Sequence, residues 1–199
     1  MANSEPQPAV TRADAVASGP TAEEVRQHNE WFTTTPDPWR EIARLEFGGD
    51  RTCASTIYRM VVNAEPAQRP ALETKLLEVL ARPELTEAAR QFVCRMLGLI
   101  GSSACVPAVT ALLADNRSAD DARRALDFVA DAAVDEAYRA ALGQLSGAAL
   151  AGLIGSIGGR GDTGARGALA TIAGDGQQDR TVRDAAERAV RRLDAATHR

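Results

Sequence analysis

Apolar residues recur along this chain three and four positions apart, with polar residues between them. Leu72, Leu76, Leu77 and Leu80 form one such stripe, and Phe92, Val93, Met96, Leu97 and Ile100 form a second. Val106, Val109, Leu112 and Leu113 make a third, and Leu150, Leu153, Ile154 and Ile157 a fourth. This spacing keeps side chains on one face of a helix. No segment alternates convincingly with period two, so the pattern predicts an all-α fold without a sheet.

Helix start signals punctuate the stripes. Thr21 with Glu24 makes a capping box, and Asp37 followed by Pro38 places a capping carboxylate before a proline at the first helical position. Asp50, Pro66 or Pro70, Thr86, Ser103, Ser118, Asp131, Ser146, Asp162 and Thr181 open the segments that follow. Gly48, Gly101, Gly143, Gly158 and Gly174 read as stops, because glycine adopts the backbone that ends a helix without strain. The predicted helices are roughly a dozen residues, or about 18 Å, long. Helices that short are marginal alone in water, so they must stack. The connections are short as well, which makes successive helices antiparallel neighbours. Residues 1–20, rich in Pro, Ala, Ser and Glu, read as a disordered tail. Residues 21–36 read as a capping helix, and 37–196 as about five helix hairpins.

The pattern repeats. Val106-Pro107-Ala108-Val109 opens a stripe ending at Asp115, Val134-Asp135-Glu136-Ala137 opens another, and Arg166-Gly167-Ala168-Leu169 a third ending near Asp175. A period near 30 residues built from two helices is the mark of an α-solenoid. Leu99-Ile100-Gly101, then Val106 to Val109 and Leu112 to Asp115, resembles a HEAT repeat. Thr181 to Val190 resembles the short variant named after phycobilisome lyases. The resemblance runs from about Ala88 to Leu193 and implies an α-solenoid. It further implies protein binding as the commonest role, with bilin attachment and DNA processing as rarer ones.

Composition narrows the chemistry. Net charge is −4 over 199 residues, which disfavours a general binder of nucleic acid or anionic membrane. The chain holds 39 alanines and 4% aromatic residues, a mixture suited to closely packed helices. Lys75 is the single lysine against 22 arginines, as a GC-rich genome would produce. Cys53, Cys94 and Cys105 are odd in number and widely spaced, so they read as buried free thiols in a reducing compartment. No apolar run reaches the roughly 20 residues of a membrane span, and residues 1–20 lack a leader pattern. A cytoplasmic protein is the expectation.

Catalytic groups are scarce. His28 and His198 are the two histidines, and neither sits near a nucleophile or a metal-ligand spacing. Gly159-Arg160-Gly161-Asp162-Thr163-Gly164 fits a dinucleotide fingerprint, but a helical stripe precedes it where a strand is required. It reads as a turn between helices with Asp162 as the cap, in which the Arg160-Gly161-Asp162 tripeptide is incidental. The glycines between 147 and 167 read as close helix packing. Neither enzyme chemistry, cofactor nor metal is expected.

Partner binding is the expected role, through a preformed concave face lined by the second helix of each hairpin. Arg123, Arg124 and Asp127 are candidates there, in a run of Asp and Arg that resembles the ladders of HEAT-like stacks. Trp31, Phe32 and Trp39, with Phe47, place half of the aromatic residues within 17 positions. They form either a cap on the open end or an exposed anchor for a protein partner or a second copy. The Arg-rich last helix reads as a solvated end cap, with nucleic-acid binding as a rival. A lyase-like or chaperone-like role in chromophore attachment is the other rival.

Overall fold

In the computed structural model, which describes residues 37–197, helix follows helix and no strand occurs among the described residues. The predicted tail over 1–20 and capping helix over 21–36 lie outside the described residues, and with them Trp31 and Phe32. The α-helices are α1 (Pro38–Glu41), α2 (Thr52–Val62), α3 (Arg69–Leu80), α4 (Glu87–Ile100) and α5 (Val106–Thr110). After them come α6 (Ala119–Leu126), α7 (Ala132–Ala141), α8 (Gly147–Arg160), α9 (Arg166–Gly174) and α10 (Arg180–Thr197). Short 3-10 turns extend α1 and α5 and lead into α3, α5 and α9.

Each odd-numbered helix packs on the even-numbered helix after it, giving the pairs α1/α2, α3/α4, α5/α6, α7/α8 and α9/α10. The even-numbered helices also pack on one another in chain order, α2 on α4, α4 on α6, α6 on α8 and α8 on α10. The apolar stripes supply the seam. Ala89, Phe92, Val93, Met96 and Leu97 of α4, and Leu150, Leu153, Ile154 and Ile157 of α8, are buried. Burying a side chain of the size of Leu or Ile contributes about 1.5–3 kcal/mol. It is these seams that hold helices too short to persist alone.

Capping follows the predicted signals closely in most places. The carboxylate of Asp37 accepts from the Trp39 amide at 3.0 Å, that of Asp131 from Ala133 at 2.8 Å, and that of Asp162 from Gly164 at 3.1 Å. Thr86 accepts from the Ala89 amide at 3.2 Å while its hydroxyl donates to the Leu45 carbonyl, tying the start of α4 to the end of the 3-10 turn that extends α1.

Five signals act differently. Ser103 is the first residue of a 3-10 turn, and the cap is Ser102, whose hydroxyl accepts from the Ala104 amide at 3.2 Å. Gly158 lies inside α8 and does not end it; a Cβ there would sit 2.9 Å from the Ala189 Cβ, so this glycine lets α10 approach. The stop is Gly161, at φ +76, a backbone that favours glycine. Thr181 lies within α10, which begins at Arg180. Ser118 is buried and donates to the Leu112 carbonyl at 2.7 Å, bracing a turn rather than capping α6. Ser146 caps nothing with its side chain; instead Asn116 bonds both its amide and its hydroxyl at 3.1 Å, joining the turns before α6 and α8.

The glycine-rich segment is divided as well. Gly158 is a contact point, whereas a Cβ at Gly147, Gly155, Gly161 or Gly167 would meet nothing within 4 Å. Another close approach lies at Gly98, where a Cβ would stand 2.6 Å from the Arg124 carbonyl oxygen. That glycine sets the distance between α4 and α6.

Candidate functional site

The even-numbered helices bury one stripe and leave another exposed. On α4 the outward positions are Gln91, Arg95 and Leu99, each four residues from the next. On α2 they include Ser55, Tyr58, Arg59 and Val62. Between these two rows lies a groove of about 560 Å³. The buried Ala54, Phe92 and Met96 floor it. Tyr58, Val62 and Leu99, which are 46%, 47% and 52% exposed, wall it with apolar surface. Ser55, Arg51, Arg59 and Arg95 complete the lining, and among the described residues no carboxylate belongs to it. The Arg95 guanidinium carbon lies 5.6 Å from the centre of the Phe92 ring, a cation–π contact that holds the cation across the floor.

The groove has a neighbour. Arg51, Phe92 and Arg95 also line a second depression, of about 220 Å³, together with Phe47 and Arg124. A third depression, of about 250 Å³, lies between α8 and α10, walled by Ala151, Gly155 and Gly158 on one side and Arg188 and Arg192 on the other.

Of the residues singled out from the sequence, Trp39 is in the core, 9% exposed, with the Lys75 Nζ 5.4 Å from its ring centre. Its ring therefore offers no free anchor, and Phe47, 62% exposed, is separated from it in burial. The other two rings of the predicted cluster, Trp31 and Phe32, lie outside the described residues. Arg123 reaches Asp120 at 2.6 Å, Asp127 at 3.1 Å and the Ser156 hydroxyl at 3.3 Å. Asp127 in turn accepts from the Tyr138 hydroxyl at 2.9 Å. These two predicted contact residues are thus engaged in joining α6, α7 and α8. Arg124 differs: it pairs with Asp120 at 3.0 Å yet remains 62% exposed on the face beside the groove.

Burial and charge explain the titration behaviour here. Asp120 loses water, which would raise its pKa, but Arg123 and Arg124 outweigh this and hold it below the usual carboxylate value. Asp121 goes the other way, because desolvation exceeds the help of Arg90, 2.9 Å away. The Tyr138 phenol is pushed up by burial and by the Asp127 charge.

The glycine-rich motif is a structural clasp. Arg160 donates to Asp135 at 2.5 Å and to the carbonyls of Leu126, Asp127, Val129 and Asp131 at 2.9–3.3 Å. Helix ends leave such carbonyls without intrahelical partners, and one guanidinium here satisfies several of them. Asp162 is paired with Arg139 at 2.6 Å and is 8% exposed. The Arg-Gly-Asp tripeptide is therefore bound inward at both charged residues.

The cysteines sit in apolar surroundings. Burial pushes the Cys94 thiol up to about 12, and burial with the Glu73 charge pushes Cys105 to about 11. Burial also raises Cys53. Glu73, 4% exposed, accepts from the Ser102 amide and hydroxyl, both at 2.8 Å, so α3 caps the turn that begins the third pair. Among the described residues no group of three His, Cys, Asp or Glu is arranged to hold a metal ion, and no helix is long and apolar enough to cross a membrane. In the last helix Arg180 faces Asp184, Arg191 faces Glu187, and Asp194 binds Arg166 at 2.6 Å.

Sequence reasoning missed the groove. Its signal was present in apolar residues off the core face: Leu99 four positions after Arg95, and Tyr58 and Val62 beside Arg59. A comparison of the chain with family models, curated proteins and solved structures finds no match in any of the three.

Proposed function

We propose that this chain is an α-solenoid of short HEAT-like repeats and serves as a non-catalytic scaffold that presents its even-numbered helices to a protein partner. The chain-order packing of α2, α4, α6, α8 and α10 supports the solenoid reading. The observation that carries the functional reading is the groove between α2 and α4, where Tyr58, Val62 and Leu99 expose apolar surface beside arginines. Apolar side chains kept in water on adjacent helices gain free energy when a partner covers them, and groups fixed on packed helices lose little entropy on binding.

Affinity capture with the tagged full chain, read by quantitative mass spectrometry in the native cell type, tests it. Two variants accompany the wild type: Arg95→Glu with Arg124→Glu on the even-helix face, and Glu136→Arg on α7. A stoichiometric partner kept by Glu136→Arg and lost by the double variant is the expected result. Loss only in Glu136→Arg, or absence of any stoichiometric partner, would count against the scaffold.

A further inference from the structure

We propose that the groove between α2 and α4 takes an acidic peptide segment with large apolar anchors, contributed by a partner protein; this deepens the scaffold reading and rests on it. The floor and walls are chiefly aliphatic and thioether surface from Ala54, Val62, Met96 and Leu99, which favours apolar side chains. Nucleic-acid bases would want a run of exposed rings for stacking and a basic protein; of the two rings lining this groove Tyr58 is exposed and Phe92 is buried under Arg95, and the chain carries a net −4.

Charge selects the flanks of the ligand. Arg51 and Arg95 form no ion pair with any described residue, although six other arginines, at 90, 123, 124, 139, 160 and 166, each hold a carboxylate within 3.1 Å. The chain as a whole carries −4, so cations gathered on one face without a carboxylate partner among the described residues run against its average. A carboxylate between Arg51 and Arg95 would find both without displacing a partner among the described residues, and rim charges of this kind set on-rate and selectivity. The adjoining depression, which shares Arg51 and Arg95 and adds Phe47, Arg124 and Asp121, the last held by Arg90 at 2.9 Å, prolongs the surface toward α6. An elongated path suits a segment with anchors at successive helical turns better than a compact small molecule.

The test is selection of random 16-residue displayed peptides on the immobilised full chain, then binding of synthetic winners to wild type, Arg51→Glu/Arg95→Glu and Leu99→Asp. Circular dichroism and thermal melting confirm that each variant is folded. The expected winners have net negative charge with at least two large apolar residues, and each variant weakens them tenfold or more. In the full chain carrying Tyr58→p-benzoylphenylalanine, ultraviolet light should cross-link the peptide. Winners without net negative charge, or no winners, overturn the proposal. A cross-link to a second copy or to residues 1–36, in place of the peptide, would also overturn it. Peptides bound equally by wild type and both folded variants remove the groove but leave the scaffold standing. No winners together with no captured partner remove both.

Discussion

Arginine is used in opposite ways at the two ends of this molecule. From α6 to α10, Arg123, Arg139, Arg160 and Arg166 reach carboxylates on other turns or helices, and Arg160 also binds four backbone carbonyls. Between α2 and α4, Arg51 and Arg95 line a groove beside exposed Tyr58, Val62 and Leu99 and pair with no described carboxylate. The same residue type holds the structure together in one place and faces solvent in the other. The difference teaches where substitutions should register: in stability at the first, in recognition at the second.

The largest contrast should come from truncating Arg160. Its side chain is 13% exposed, so Arg160→Ala leaves Asp135 and several carbonyls without their donor. A loss of about 2–3 kcal/mol is expected, below the cost of breaking a fully buried pair because Asp135 is 28% exposed, read by urea unfolding. A loss under about 1 kcal/mol would erase the distinction between the two regions. Next is the contact of α8 with α10: Gly158→Leu should cost about 1–3 kcal/mol by overpacking, checked by the same transition.

Alkaline pH should also strain the buried groups. The folded chain keeps protons on Cys94, Cys105 and Tyr138 at pH values where the unfolded chain has released them. The unfolded state then binds fewer protons, so stability falls as pH rises. The contribution of Cys94 is fully present below the ordinary thiol value of 9.0 and is lost as pH approaches about 12. Urea midpoints measured from pH 8 to 11 should decline, and a flat profile would contradict the burial of these groups.

Smaller effects sharpen the same line. Gly155→Ala should stabilise by roughly 0.5–1 kcal/mol, because the position is helical and a Cβ meets nothing. Arg95→Ala should change stability by no more than about 0.5 kcal/mol, as expected for a surface position, while weakening any ligand of the groove. A melting temperature unchanged by Arg95→Ala but lowered by Arg160→Ala would express the comparison in one experiment.

Local chemistry made much of the fold legible. The stripes through Leu97 and Ile154, the carboxylate caps at Asp37 and Asp131 and the proline starts announce helices because they depend on neighbours a few residues away. The approximate repeat likewise anticipates pairs of helices. The site was hardly legible: Arg123 and Asp127 read in sequence as part of an Asp and Arg ladder open to a partner, and Trp39 as either a cap or an anchor. Distant partners decide their roles, Ser156 and Tyr138 for the first two and the core beneath α1 for the third.

Sequence alone therefore determined that this chain is helical, where most helices begin and which faces seek burial, since those properties arise within a turn or two of backbone. Only the tertiary structure decided that Gly158 is a contact point rather than a stop, and that Arg160 binds inward. It alone separated the clasped arginines from those lining the groove, and brought Val62 of α2 and Leu99 of α4 to opposite walls of one depression. Each of these depends on which residue lies across an interface, and helical periodicity carries no information about that distance.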